Sequence, residues 1–156
     1  MKKYFSFFNS HFSFQKGFTL IELLVAISII GILSSFLLAN FVGVRQRARD
    51  GVRKSDLRQI QSALELYRSD QGSYPPTSLP ACKLPLQNSP PTVTYMQKIP
   101  CDPSSGAAVY TYSVGAGNTT YSLIACLENA NDSQKDSSVA SACTSTTNIS
   151  YTLTNP

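Results

Sequence analysis

Four cysteines are the residues whose type and spacing point most clearly to chemistry: Cys82, Cys101, Cys126 and Cys143. They are 19, 25 and 17 positions apart, so no pair has the C-x₂₋₄-C spacing of a zinc site or the C-x-x-C spacing of a redox site. Their even number in a short polar region predicts two disulfide bonds outside the cytoplasm, with four buried thiols as the alternative. Three pairings are open. Cys82–Cys101 with Cys126–Cys143 is favoured because each bond closes a short local loop.

Catalytic chemistry is not indicated by the remaining residues. The only histidine is His11, near the start of the chain, so no Ser/His/Asp or Cys/His arrangement can be built within a folded domain. The segment Glu128–Asp136 offers several carboxylate and amide oxygens, but it lacks the spacing of an EF-hand and contains Lys135. We therefore expect a solvated loop there and no catalytic, cofactor-binding or metal-binding site. The sequence is not that of an enzyme.

The elements that must position these residues differ between the two halves of the chain. All nine prolines lie at or after Pro75, so the first half of the 156 residues can form one uninterrupted helix and the second half cannot. Residues 1–70 carry ten basic and five acidic side chains, whereas residues 71–156 carry three and four. The net charge of +4 therefore comes from the helical half.

An apolar run in the first half predicts a membrane-spanning helix. Leu23–Val44 contains 22 uncharged residues, which as a helix cover about 33 Å, enough to cross a bilayer. The run exceeds the apolar region of a secretory signal, about 7–15 residues, and lacks a good A-x-A cleavage site, so we expect it to be retained. Glu22 lies four residues into the apolar stretch that begins at Phe18. A carboxylate there needs headgroup water or a charged partner.

The stretch KGFTLIELLVAISIIGIL, which begins at Lys16, resembles the prepilin motif of type IV pilins and pseudopilins. The resemblance implies cleavage after Gly17 by prepilin peptidase and N-methylation of the new terminus at Phe18. It also implies assembly of the helices into a filament with other pilins at an inner-membrane assembly platform. In that filament Glu22 of one subunit would pair with the Phe18 amine of its neighbour.

Two later segments are similar to pseudopilin sequences. Gly72–Pro76, with the sequence GSYPP, resembles the G-x-Y-P that follows the long helix in many pseudopilins. Pro100–Pro103 resembles the Pro-x-Asp-Pro that precedes their first strand. Some pseudopilins of this type bind calcium in a head loop. The candidate segment here is Glu128–Asp136, where Lys135 among the acids favours a loop without metal.

These patterns predict an α+β, pilin-like fold, in which a long N-terminal transmembrane helix packs at its C-terminal half against a small antiparallel β-sheet head. The expected organisation is a leader at 1–17, a membrane or filament-core half of the helix at 18–44, an amphipathic half at 45–70, and a disulfide-stabilised head at 71–156. Apolar residues recur on one helix face, which predicts the packing stripe: Leu57, Ile60, Ala63, Leu64 and Tyr67. Val44, Ala48 and Val52 form an adjoining row.

The end of the helix and the strands follow from local signals. The helix should end near Asp70, because Gly72 suits a left-handed cap and Pro75 cannot continue a helix. Strands are predicted at Val109–Val114, Tyr121–Leu127 and Ile149–Leu153, where β-branched and aromatic residues are enriched, with a hairpin turn at Gly115–Asn118 between the first two.

A basic run lies between the apolar segment and the packing stripe. Its cations are Arg45, Arg47, Arg49, Arg53, Lys54 and Arg58, with Asp50 and Asp56 among them. We expect a solvated collar near anionic lipid headgroups. No aromatic residues are interleaved for stacking on bases, so specific nucleic-acid binding is not indicated.

The sequence thus predicts a structural subunit of a type IV pilus or a type II secretion-like pseudopilus. It would be a single-pass membrane protein with an extracytoplasmic head before assembly, and part of a surface or envelope filament afterwards. The alternative is a single-pass, membrane-anchored extracytoplasmic binding protein that does not polymerise. Subunits of secretion, twitching and DNA-uptake filaments would have the same features, so the sequence does not distinguish these three functions.

Overall fold

The computed structural model describes residues 17–88, 92–105, 110–144 and 149–156, and of residues 38–40 only the backbone. The predicted leader up to residue 16, including His11, and the predicted strand residue Val109 lie outside the described residues. The chain divides into two compact units, Met1–Ala39 and Asn40–Pro156.

One long helix, α1, spans Leu20–Gln71. Its length is possible because no proline precedes Pro75. Gly72 follows the helix with a φ of 75°, and its N–H donates to the carbonyl of Arg68 at 2.8 Å. This is a left-handed cap, which glycine adopts without the steric cost that a side chain would add. The cap that was predicted from Gly72 is therefore present, and the helix ends one residue beyond Asp70.

In the first unit the described side chains of α1 are all exposed. The segment Leu20–Leu37 has a mean hydropathy of 2.4 with none of its residues buried, and it is long and apolar enough to cross a membrane. Such a surface is unfavourable in water and needs lipid or protein to cover it.

In the second unit α1 packs against a three-stranded antiparallel sheet of order β3-β4-β5. The strands are β3 at Thr111–Val114, β4 at Tyr121–Cys126 and β5 at Ser150–Thr154. The register pairs Val114 with Tyr121, and Ala125 with Tyr151. The three predicted strands are thus present, each differing from its prediction by one or two residues at one or both ends.

A short hairpin precedes this sheet and was not predicted. It consists of β1 at Leu86–Gln87 and β2 at Thr94–Met96, paired antiparallel. Strands of two and three residues are too short to show the alternation from which strands are predicted.

The core forms where the helix stripe meets the sheet. Leu57, Ile60 and Leu64 are fully buried, and Ala63 is nearly so. From the sheet and its loops the core receives Tyr74, Leu79, Leu86, Ile99, Tyr110, Tyr121, Leu123, Ala125, Leu127 and Tyr151. The predicted α+β fold, with the C-terminal half of the long helix packed on a small antiparallel sheet, is confirmed.

Two details of the predicted helix faces differ from the simplest expectation. Tyr67, at the end of the stripe, is only partly buried, and its ring lies 5.0 Å from that of Tyr95. The adjoining row of Val44, Ala48 and Val52 is exposed along its whole length.

Candidate functional site

The start of α1 is closed by a reciprocal pair between Thr19 and Glu22. The backbone N–H and the hydroxyl of Thr19 each donate to Glu22 Oε2 at 2.8 Å, and the Glu22 N–H donates to Thr19 Oγ1 at 3.3 Å. This is a capping box, in which a carboxylate three residues into the helix satisfies a free backbone donor at its end. Both donors from Thr19 use the same carboxylate oxygen, so the second oxygen of Glu22 can accept from another group.

Gly17 and Phe18 precede this cap and project into open space. Phe18 is 87% exposed, and a Cβ built on Gly17 would meet no atom within 4 Å. Among the residues that the structure describes, none therefore requires glycine at position 17.

Two serines of the apolar segment that follows bond to the backbone of the helix. The hydroxyl of Ser28 donates to the carbonyl of Leu24 at 2.8 Å, and that of Ser35 donates to the carbonyl of Ile32 at 2.7 Å. These bonds allow both serines to lie in an apolar surrounding at little cost. Glu22 is the charged residue of this segment.

The four cysteines form two disulfide bonds, Cys82–Cys101 and Cys126–Cys143, and none is free. This is the pairing that the sequence analysis favours because each bond closes a short local loop. The first bond closes the loop that contains the β1–β2 hairpin, and the second ties the end of β4 to the connection that leads to β5. Both bonds lie in the head, defined as residues 71–156, and the four cysteines belong to no metal or redox arrangement.

The most heavily buried charges of the second unit lie in a cluster that the sequence analysis missed. Its centre is Arg53, whose side chain is 4% exposed. Arg53 Nε donates to Asp102 Oδ2 at 2.7 Å and Nη2 to Asp102 Oδ1 at 3.1 Å, while Nη1 donates to Asp50 Oδ1 at 2.7 Å. Nη2 also donates to Ser104 Oγ at 2.6 Å and to Glu128 Oε1 at 2.8 Å. We call these residues, together with Arg49, the Arg53 cluster.

Asp50 attaches the same cluster to the loop that follows β4. Its carboxylate accepts the backbone N–H of Glu128 at 3.0 Å and that of Asn129 at 2.8 Å. Arg49 donates to the Glu128 carboxylate through Nε at 2.8 Å and through Nη2. Three parts of the chain that are distant in sequence are thereby held together by ionic hydrogen bonds, which are stronger than neutral ones.

The prediction of a solvated basic collar is therefore wrong for half of its cations. Arg53 is buried, and Arg49 and Lys54 are bonded to carboxylates of the head. Arg45, Arg47 and Arg58 are exposed, as predicted. A signal for the difference is present in the sequence, because Arg53 lies four residues before Leu57 and continues the packing stripe at helical spacing.

The segment Glu128–Asp136 is a loop, as predicted, and Asn131, Ser133 and Lys135 are exposed, but its carboxylates are not simply solvated. Asp132 is bonded to Lys54 of the helix, and Asp136 accepts from the hydroxyls of Ser150 and Thr152 at 2.6 and 2.7 Å. In the part of the chain that the structure describes, no group of three or more His, Cys, Asp or Glu side chains could hold a metal ion.

The cluster shifts the pKa of its carboxyl groups. The hydrogen bond from Arg49 lowers the pKa of Glu128 to about 2, against a weaker effect of burial. For Asp102, burial acts to raise the pKa, but the hydrogen bonds from Arg53 and Ser104 outweigh it and the pKa is lowered. Asp56 differs, because burial raises its pKa despite the hydroxyl of Tyr110, which donates at 2.6 Å.

A second buried polar group lies near the end of α1. The carboxylate of Glu65 accepts from the hydroxyl of Tyr74 at 2.9 Å and from that of Tyr121 at 3.2 Å. The two rings meet edge to face with centroids 4.6 Å apart. Burial is the largest cause of the raised pKa of both tyrosines, which therefore donate as neutral phenols.

Two family models match the chain. Residues 13–38 match the "Prokaryotic N-terminal methylation motif", and residues 40–142 match "Type II secretion system (T2SS), protein G". The first match covers Gly17, Phe18 and Glu22, and the second covers every residue of the Arg53 cluster and two of the three strands of the sheet, β3 and β4.

Curated relatives carry names of two kinds. The type II secretion system core protein G of Pectobacterium carotovorum subsp. carotovorum is 36% identical over 57% of this chain and 62% of its own length. The type IV wide pilus major component PilA4 of Thermus thermophilus is 40% identical over 51% of this chain and 61% of its own length. The core protein G of Klebsiella pneumoniae is 34% identical over 57% of this chain and 69% of its own length. The match thus spans about three fifths of the length of the first two relatives. No solved structure matches the chain.

Proposed function

The chain belongs to the type II secretion system protein G family, and we propose on this basis that it is a structural subunit of a type IV pilus or a type II secretion-like pseudopilus that assembles through its N-terminal helix. The observation that carries the proposal is the exposed apolar segment Leu20–Leu37, which directly follows Gly17 and Phe18 and has one carboxylate at its start. Before assembly a bilayer would cover this surface, and in a filament the helices of other subunits would cover it.

Glu22 has two successive roles in this proposal. In the single chain it caps the helix through Thr19, so its charge is balanced by a local donor and by the positive end of the helix dipole. Cleavage after Gly17 creates a new amine on Phe18. In a filament core away from water, that amine and the carboxylate would each be unfavourable unless paired. The free carboxylate oxygen of Glu22 offers the neighbouring subunit's amine a place to bind without breaking the cap.

The same proposal assigns two further partners. Prepilin peptidase would cut the backbone at Gly17, which is exposed and has no side chain to obstruct an enzyme. An inner-membrane assembly platform would then move subunits from the bilayer into the filament. Leu, Ile and Val side chains slide past one another easily, so the apolar helix supplies packing, and the Glu22–amine pair supplies the axial register.

The head would lie outside the cytoplasm. Two disulfide bonds in a head of 86 residues favour an oxidising compartment. Six basic residues follow the span within Arg45–Arg58 and only three precede it, which by simple counting would place the head inside. That count applies to short loops, however, and a whole domain crosses largely regardless of charge.

In intact cells, a membrane-impermeant thiol reagent should label the head only after reduction. Cysteines that remain reduced in the folded head within intact cells, out of reach of the impermeant reagent, would contradict this orientation.

The test of assembly is the substitution Glu22→Ala in the chain's own host. Membrane insertion and the disulfides of the head should be unchanged, while the yield of filament should fall sharply. Glu22→Gln should recover only part of the yield, because the amide keeps the shape and the bond from Thr19 but not the charge. The matched control is Ser28→Ala, which removes a polar group from the same apolar segment and should leave filaments at the wild-type level.

The alternative function, a membrane-anchored binding protein that does not polymerise, predicts a different pattern. Such a protein would keep its leader or lose it at another site, and Glu22→Ala would change nothing that depends on assembly. Wild-type amounts of filament from Glu22→Ala would show that the carboxylate is incidental to register.

A further inference from the structure

In the connection from β4 to β5, side-chain oxygens surround a cation. That cation is the ammonium group of Lys54. Lys54 Nζ lies 2.6 Å from each carboxylate oxygen of Asp132 and 3.2 Å from Gln134 Oε1. It also lies 5.7 Å from the ring centroid of Tyr151, within the range of a cation–π interaction. The side chains of Lys54 and Asp132 are only 15% and 12% exposed, so this pair is largely removed from water.

We propose that the Lys54 ammonium group is the permanent cation of this loop, and that the head folds and stays ordered without a divalent metal ion. The loop is Glu128–Asp136, the segment that would correspond to the calcium-binding head loop of some pseudopilins. The inference concerns only the unit Asn40–Pro156 and holds whether or not the chain forms filaments.

The oxygens of the loop do not fit a calcium ion. Calcium takes six to eight oxygen ligands, several of them carboxylate oxygens without another cation bound. Here both oxygens of Asp132 are bonded to Lys54, and the carbonyl of Ala130 accepts from Lys135 Nζ at 2.7 Å. The Glu128 carboxylate is bonded to Arg49 and Arg53.

The remaining carboxylate is also engaged. Asp136 accepts from the hydroxyls of Ser150 and Thr152 and from the Thr152 N–H at 3.1 Å, so it closes the loop onto β5. A calcium ion near Asp132 would lie within a few ångströms of the Lys54 ammonium. The repulsion between these charges is strong where both are shielded from water.

Lys54 also attaches the loop to α1, which a metal ion bound only by oxygens of the loop would not do. Lys54 belongs to α1, 78 positions before Asp132, so the ion pair attaches the loop to the helix as well as closing it. Asp50, one helical turn earlier, accepts the N–H groups of Glu128 and Asn129 at the other end of the same segment. The loop is therefore ordered by the helix beneath it.

The first experiment needs no variant. The full chain in detergent micelles is unfolded by heat in excess chelator, in millimolar calcium and in millimolar magnesium, and followed by circular dichroism and by amide exchange of residues 128–136. We expect the same midpoint and the same protection in all three solutions. A higher midpoint in calcium than in magnesium, or loss of protection in chelator, would overturn the proposal.

The second experiment compares Lys54→Met with Arg58→Met, which removes an exposed cation from the same helix. In chelator, Lys54→Met should lower the midpoint by about 5 °C, since loss of one member of a largely buried pair leaves the other unpaired. Arg58→Met should leave the midpoint unchanged. Lys54→Met combined with Asp132→Asn should cost no more than the more severe single variant, because the two residues act as one pair. Additive losses would contradict the pairing.

Discussion

Arg53 on the long helix and Asp102 in the head form a two-point ion pair, in which Nε and Nη2 of the guanidinium meet the two carboxylate oxygens at 2.7 and 3.1 Å. Asp102 directly follows Cys101, whose disulfide partner is Cys82. The pair therefore fixes the disulfide-closed loop to the helix. A flat guanidinium and a carboxylate match each other in this geometry, which a lysine cannot reproduce.

Replacing Arg53 should destabilise the head more than replacing any exposed cation of the same run. Arg53→Met leaves carboxylates of the cluster buried without their cation, and we expect a loss of about 3 kcal/mol or more in the free energy of unfolding. Arg53→Lys should recover only part of that loss. Urea unfolding of the full chain in detergent measures it, with Arg47→Met as the exposed control. Equal midpoints for Arg53→Met and Arg47→Met would refute the structural role of the cluster.

Acid should weaken the head over a defined pH window. The pKa of Glu128 is about 2 in the folded protein against an ordinary 4.5, so its contribution is complete above about pH 4.5 and is lost as the pH falls toward 2. The lowered pKa of Asp102 acts in the same direction, whereas the raised pKa of Asp56 opposes it. We expect a lower urea midpoint at about pH 3 than at about pH 7. Glu128→Gln should be less stable at neutral pH but lose less on acidification.

Two glycines should respond in opposite directions to alanine. A Cβ on Gly115 would lie 2.2 Å from Thr120 Oγ1 in the β3–β4 turn, so Gly115→Ala should destabilise the head by about 1–3 kcal/mol. Gly51 lies on the exposed side of α1 with no atom within 4 Å of an added Cβ, so Gly51→Ala should stabilise it by about 0.5–1 kcal/mol. Thermal unfolding of the two variants under one condition tests both signs. Stabilisation by both substitutions would mean that the turn relaxes around the new methyl group, and destabilisation by both would contradict the open surroundings of Gly51.

Processing should remove residues 1–17 and leave Phe18 as the first residue of the mature protein. The loss of Lys2, Lys3 and Lys16 changes the net charge from +4 to about +1. Intact mass of the protein from its own host measures the cleavage and the added methyl group. Gly17→Leu should block cleavage, and its head should unfold at the wild-type temperature because no residue of the described head lies within 4 Å of a Cβ at position 17. Normal maturation of Gly17→Leu would contradict the assignment.

Features that depend on neighbouring residues in the sequence could be predicted from it. The uninterrupted helix follows from the absence of proline before Pro75, and its end follows from Gly72. The buried face of β4 follows from the alternation of Tyr121, Leu123 and Ala125. The short spacing within each half of the cysteine set likewise favoured the two bonds that are present. The period of the apolar residues, the residue at the end of the helix and the length of a disulfide loop are local properties, so the sequence alone determined them.

The partners of each buried charge were decided only by the tertiary structure. Arg47 and Arg53 are the same residue type in the same basic run, yet Arg47 is exposed and Arg53 is buried. Arg53 is on the helix face that meets the sheet, where Asp102 and Glu128 arrive from 49 and 75 positions further along the chain. A charge can leave water only if partners replace its hydration, and the partners of Arg53 are brought to it only by the fold.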